Sequence, residues 1–428
     1  MKATSWSVLV LASAAAVTNA AHADQSQAKG FIEGSSATVT FRNGYMERDY
    51  KHASRHNIKD QSRWGQGFIG KYSSGYTQGT VGFGLDAIGL YSLRLDQGKN
   101  KNDGGISFFG VNSKGDPYRD IGKAGATAKA RVSNTVLKYG DLIPNLPVVT
   151  SDTSALIPQT FTGTLLTSQE ISGLVFDIGR FTAMSDNNKA GRDSHHLKRL
   201  DIVGATYTLN PQWTAALYHA DNQDKDRRSY GALSYLKPLD HQQSWGVNFQ
   251  MYRTRYSDKF VTNSDEGLTG GNNTIWSLGS TYTLGPHTFM AAYQHSSGNR
   301  GFQYNIGDGG SSFWLPNSYL SNFDGKDERS WQVSYQLDFS EFGMPGLTWH
   351  TAFVRGTNVD ANFYDATSSG RGTEREIYNQ VEYTVQNGAA KDLSVTVRSS
   401  ILRTSNTYKY NPSTNEIRLF ITYPLKLL

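Results

Sequence analysis

The sequence predicts an all-β fold, a transmembrane antiparallel β-barrel, and three observations carry that reading. An export signal opens the chain. Apolar and polar residues alternate along short segments from one end to the other. Tight turns alternate with long polar connections. A strand turns successive side chains to opposite faces, so sustained alternation means apolar surroundings on one side and water on the other.

The signal comes first. Lys2 supplies positive charge, Val8 to Val17 form a short Ala/Ser-rich apolar run, and Ala21-His22-Ala23 is an A-x-A cleavage site. Residues 1–23 are therefore expected to be a signal peptide, with residues 24–428 forming one barrel domain. Cleavage before Asp24 removes one of the 42 basic residues and none of the 37 acidic ones, taking the net charge from +5 to +4. So mild a bias does not suit nucleic-acid binding, which calls for a clustered basic face.

Composition narrows the class. There is no Cys, which removes disulfides and thiolate metal sites. The mean hydropathy of −0.51 is polar, and after the signal no run approaches the ~18 apolar residues of a membrane helix. A barrel escapes that argument because only alternate strand residues meet lipid while a wet lumen keeps the others polar. The 43 Gly, 24 Tyr and 20 Phe against 11 Pro suit many strands, many turns and aromatic belts.

The closing segment shows the pattern best. Ile417, Leu419, Ile421 and Tyr423 point one way, and Glu416, Arg418, Phe420 and Thr422 the other. Strand-like segments run from Ala37–Tyr45 and Gly82–Asp96 through Ala126–Tyr139 and Gly173–Phe181 to Asp392–Leu402. The connections at 209–212, 284–287 and 386–389 have the chemistry of tight turns. Those at 98–104, 184–198, 257–273, 298–326 and 358–375 are long and polar, as the outer rim of such a barrel requires. With strands of about ten residues, the spacing allows 16 or 18 of them.

Several blocks resemble a known family. They are Phe41-Arg-Asn-Gly-Tyr-Met-Glu-Arg-Asp-Tyr50, Gly82–Leu90, Leu137–Pro147, Leu156–Gly163, Leu315-Pro-Asn-Ser-Tyr319, Lys391–Ser394, and Glu416-Ile-Arg418 with Tyr423-Pro424. In this order they resemble the OprD (Occ) family of substrate-specific porins of pseudomonads, across the whole mature chain. The resemblance implies 18 strands, a third loop folded inward to constrict the pore, location in a Gram-negative outer membrane, and selective passive uptake of small carboxylate-bearing solutes. Aromatic acids, dicarboxylates and amino acids fit equally. It implies no enzyme chemistry and no cofactor. The implied partners are small anionic or zwitterionic solutes and outer-membrane lipid, with the barrel a monomer or a weakly associated homotrimer.

The resemblance also implies a basic ladder down one inner wall: Arg42, Arg48, Arg131, Arg398 and Arg418. Strand parity agrees for Arg398 and Arg418, and an Arg facing mid-membrane lipid would cost ~2–4 kcal/mol. The third-loop candidate is Leu146–Thr167, with Asp152 and Ser154 facing the ladder. A second narrowing loop, at 301–310, offers Tyr304 and Asp308 for the same wall. Two positions depart from the family pattern. Glu382 is expected in the lumen where a base is usual, either paired with Arg398 or free to repel anions, and Thr396 replaces a second Arg. Both weaken strict carboxylate preference.

Other chemistry has little support. No G-x-S-x-G occurs, and adjacent His195 and His196 point apart, which does not suit a metal. The rival readings are a general diffusion porin, an outer-membrane barrel enzyme and a soluble secreted β-protein.

Overall fold

A computed structural model describes residues 24–51, 60–96, 106, 108–194, 196–240, 242–259, 270–303, 313–406 and 410–428. The expected signal peptide lies outside these residues.

The first strands are β1 (Ser36–Tyr50), β2 (Gln61–Ser73), β3 (Val81–Arg94), β4 (Asp120–Val132) and β5 (Thr135–Leu142). A small hairpin follows, β6 (Asn145–Leu146) and β7 (Val149–Thr150). The wall resumes with β8 (Thr160–Ser168), β9 (Leu174–Ser185), β10 (Leu200–Thr208), β11 (Trp213–Asn222), β12 (Asp226–Pro238) and β13 (Gln243–Tyr256). It continues through β14 (Asn272–Leu284), β15 (His287–Gly298), β16 (Arg329–Asp338) and β17 (Leu347–Asp360). The last strands are β18 (Arg371–Thr384), β19 (Ser394–Ser405) and β20 (Thr414–Lys426). All except β6 and β7 belong to one 18-stranded antiparallel sheet, and β1 pairs with both β2 and β20. The sheet is thus a closed barrel with no free edge, as a membrane requires.

Alternation assigns the two faces. Leu217, 72% exposed, and its outward neighbours Val203 and Leu233 stand on the side away from buried Ile202, Tyr218 and Tyr230. Such an apolar surface would be a liability in water and is suited to lipid. Near the tight-turn end, Trp213 lies 4.6 Å from Tyr235, and Phe289 and Trp349 flank Tyr335 at 5.1 and 5.8 Å. These rings form an interfacial girdle.

Three segments depart from expectation. The stretch 126–139 is two strands, β4 and β5, joined by a Ser133–Asn134 turn in which Ser133 takes φ 48°. Ser133 and Asn134 are turn-forming residues, but without Gly or Pro the signal is weak beside the alternation that runs on either side. The strand β2 went unread because its inward positions include Gly65 and Gly67, which blur the alternation. The third-loop candidate Leu146–Thr167 ends too late: residues from Thr160 onward are β8.

Candidate functional site

The connection between β5 and β8, residues 143–159, is the third long loop, and it packs on inward-facing residues. Its Leu156 touches the β1–β2 wall where Gly44, Gly65 and Gly67 face the lumen. A Cβ added at Gly67 would stand 2.3 Å from the Leu156 carbonyl oxygen. Glycine is required here because backbone meets backbone. From β1, Arg42 Nη1 donates to the carbonyls of Thr153 at 2.9 Å and Ala155 at 3.0 Å. Across the barrel, Tyr252 Oη of β13 donates to the Pro147 carbonyl at 3.0 Å.

Asp152 and Ser154 sit in this loop, but their polar groups largely serve its own shape. Asp152 is 1% exposed. It accepts from Asn187 Nδ2 and, at 2.7 Å, from the backbone N–H of Ser154. The expectation that Asp152 offers its carboxylate to solutes is therefore corrected: burial and these donors make it a brace of the loop. Ser154 is half-buried beside it.

A second connection, between β15 and β16, lies against the inner wall too. Trp314 Nε1 reaches Thr150 Oγ1 of the first loop at 3.3 Å. Asn317 Nδ2 donates to Ser330 Oγ at 2.8 Å, and the Tyr319 ring stacks 4.3 Å from Tyr378 of β18. The backbone N–H groups of Leu320 and Ser321 both donate to the Glu376 carboxylate at 3.0 Å. Tyr304 and Asp308 fall outside the described residues.

The basic residues divide into two groups. In the first, Arg398 and Arg418 are direct register partners across β19 and β20. Arg398 Nε donates to Gln380 Oε1 at 2.7 Å. Buried Glu416 takes Arg418 on one carboxylate oxygen and Arg48 Nε on the other, the latter at 2.6 Å. Arg42 lies within electrostatic reach of Asp152 and Arg398, and Lys71 of β2 within reach of Arg42. Lys71 escaped the sequence reading because its strand did. Arg131 belongs to the second group, next to the β4–β5 turn. Its Nε donates to Gln25 Oε1 at 2.8 Å, and its guanidinium covers the Tyr76 ring at 4.1 Å. Neighbouring Lys129 is paired with Asp86, 2.5 Å away. Arg131 thus faces inward at the turn-ward end, away from the loop that Arg42 holds.

Glu382 and Thr396 face each other. They are register partners, and Thr396 Oγ1 donates to Glu382 Oε2 at 3.1 Å. Arg398 stands opposite Gln380 instead, so the expected Glu382–Arg398 pair gives way to a hydroxyl–carboxylate contact. His195 of the doubtful His pair lies outside the described residues, and among those residues no group of three metal-ligating side chains occurs.

Comparison with known proteins agrees with this architecture. The pattern of the outer membrane porin, OprD family, matches residues 29–427. Porin D of Pseudomonas aeruginosa is 37% identical over 459 residues, with both chains covered completely. The crystal structure of Acinetobacter baumannii OccAB1 superposes with a TM-score of 0.89 at 36% identity, covering 94% of this chain and 99% of that one. Pseudomonas aeruginosa OpdK, solved with vanillate, superposes at 0.79 with 31% identity, covering 93% of this chain and all of the other. An 18-stranded closed barrel, matched in pattern along nearly its whole length, this chain belongs to the OprD family of substrate-specific porins of the Gram-negative outer membrane.

Proposed function

We propose that this porin takes up small carboxylate-bearing solutes passively, along a basic wall formed by Arg42, Lys71, Arg398 and Arg418 and narrowed by residues 143–159. The observation that carries the reading is the adjacency of Arg398 and Arg418 on the inner wall, with Arg42 on the neighbouring strand bonded to the loop. Charges crowded within about a Debye length of ~8–10 Å are poorly screened in a narrow lumen, so they concentrate anions there. The guanidinium fork suits a carboxylate. A relative solved with vanillate, itself a carboxylate, supports the same solute class.

Glu416 and Glu382 temper the field. Glu416 neutralises part of the Arg48–Arg418 charge, and Glu382 adds negative charge beside Thr396. That balance favours solutes carrying a positive group as well as a carboxylate. Arg131 and Lys129 extend the basic wall toward the tight-turn end. The chain acts as a conduit, with no catalysis, and cleavage before Asp24 would leave Gln25, bonded to Arg131, as the second residue of the mature protein.

Liposome swelling with aromatic acids, dicarboxylates, amino acids and size-matched neutral sugars tests the proposal. Carboxylates should enter several times faster than sugars of equal size. Rates that follow size alone would identify a general diffusion porin instead.

A further inference from the structure

The outward face carries a second arginine cluster with no part in conduction. Arg355 of β17, Arg375 of β18 and Arg403 of β19 stand side by side, Arg375 being the register partner of both others. Directly opposed side chains on an antiparallel pair have Cβ atoms ~4.5–5.5 Å apart, where like charges repel. None of the ion pairs formed by the described residues includes any of the three, although Arg371, four residues along β18, is paired with Asp327 and Asp360. The carboxylates nearest in sequence, Glu374 and Glu376, point the other way. They are occupied by Ser321, Asn411 and the Leu320 N–H. Arg403 turns its guanidinium toward β20, donating to the Leu402 carbonyl at 2.7 Å and Asn415 Oδ1 at 2.8 Å.

The three arginines line a cleft of about 190 Å³ with the hydroxyl-bearing Thr373 and Ser405 on their own face, and Glu374 and its register partner Thr404, which face the other way, complete the lining. Two residues toward the turns, the outward row becomes apolar: Phe353 and Ile401 are the register partners of Ile377. Ile377 and Ile401 are 46% and 43% exposed. Cations and hydroxyls therefore sit directly above a hydrocarbon-facing strip. They stand at the long-loop end of the strands, which faces the outer leaflet in barrels of this kind.

We propose that Arg355, Arg375 and Arg403 bind the phosphate groups of an outer-leaflet glycolipid whose acyl chains run down over Phe353, Ile377 and Ile401. Arginine forks match phosphate bidentately. A phosphate seated among them relieves the repulsion that the bare protein carries. Free inorganic phosphate would gain nothing from the apolar strip, and a lipid without phosphate would leave the charges unmet. The inference rests only on the barrel's orientation in the membrane and is independent of the solute it conducts.

Native mass spectrometry of the delipidated, folded protein with bisphosphoryl lipid A, the dephosphorylated lipid and inorganic phosphate tests this. Wild type should retain bisphosphoryl lipid A at least tenfold better than the dephosphorylated lipid, and equimolar inorganic phosphate should not displace it. The triple variant Arg355→Gln, Arg375→Gln, Arg403→Gln should lose that preference while keeping wild-type single-channel conductance, which certifies folding. Equal retention of the two lipids by wild type overturns the proposal whether or not the variant folds. So does complete displacement by inorganic phosphate. A folded variant that binds lipid normally but changes its oligomeric state would assign the cluster to contact between copies of the chain, and would also overturn it.

Discussion

Arg42 combines two roles that substitution can separate. Its Nη1 donates to two loop carbonyls at 2.9 and 3.0 Å, and its charge stands on the proposed basic wall. A hydrogen bond from a charged donor contributes ~1.5–3 kcal/mol. Here the guanidinium is half-buried beside a wet lumen and one nitrogen serves both acceptors, so the pair together is worth about 2 kcal/mol. At 1.4 kcal/mol per factor of ten, losing both raises the detached population of the loop about 30-fold. Arg42→Met should therefore give a noisier channel with frequent larger-conductance excursions, and a reversal potential shifted toward cations under a salt gradient. Arg42→Lys keeps the charge but shortens the reach. It should become noisy while holding the wild-type reversal potential at low salt. Planar-bilayer recording reads both quantities at once. If Arg42→Met is as quiet as wild type and reverses at the same potential, Arg42 neither holds the loop nor biases permeation.

Three further outcomes are expected. Glu382→Arg should move the reversal potential toward anions, with Glu382→Gln intermediate, because the exchange alters local charge by two units in a poorly screened lumen; no shift in either variant would take Glu382 off the permeation path. Arg131→Met should free the N-terminal residues held through Gln25, seen as faster trimming by aminopeptidase, with a smaller change in selectivity than Arg42→Met; an equal or larger selectivity change would make Arg131 a principal filter residue. Burial, reinforced by the adjacent Glu374 carboxyl, pushes the carboxyl of Glu328 well above the usual range. Its contribution is thus fully present below the ordinary carboxylate range and is lost as pH rises through the elevated value. The barrel should therefore unfold at lower temperature as pH rises, and Glu328→Gln should flatten that slope in heat-modifiability gels; an unchanged slope would remove Glu328 as its source.

Much of this was legible because lipid and water impose a strict period of two. Ile417, Leu419 and Ile421 outside and Arg418 inside follow from alternation alone, and Arg398 from its aliphatic neighbours. The period fails where the lumen is not simply wet. At β2 the inward positions are glycines because a loop lies on them, so the strand and its Lys71 could not be read. The brace at Asp152 depends on Asn187, 35 residues away, and no local pattern announces it. Alternation speaks to the face of Glu382 but not to its neighbour: that it stands opposite Thr396, with Arg398 opposite Gln380, depends on the register between strands.

The manner in which the third long loop is docked has a consequence for how such channels diversify. Arg42 grips the carbonyls of Thr153 and Ala155, and the wall at Gly67 accommodates the carbonyl of Leu156. The attachment is therefore largely blind to which side chain exposed Thr153 carries, whereas Ala155, 1% exposed, is packed among buried apolar neighbours and is not free to change. Position 153 behaves like an exchangeable cartridge in a fixed holder. A library randomised there should yield folded barrels at high frequency with altered solute preference, whereas randomising Ala155, Gly44, Gly65 and Gly67 should mostly yield failures.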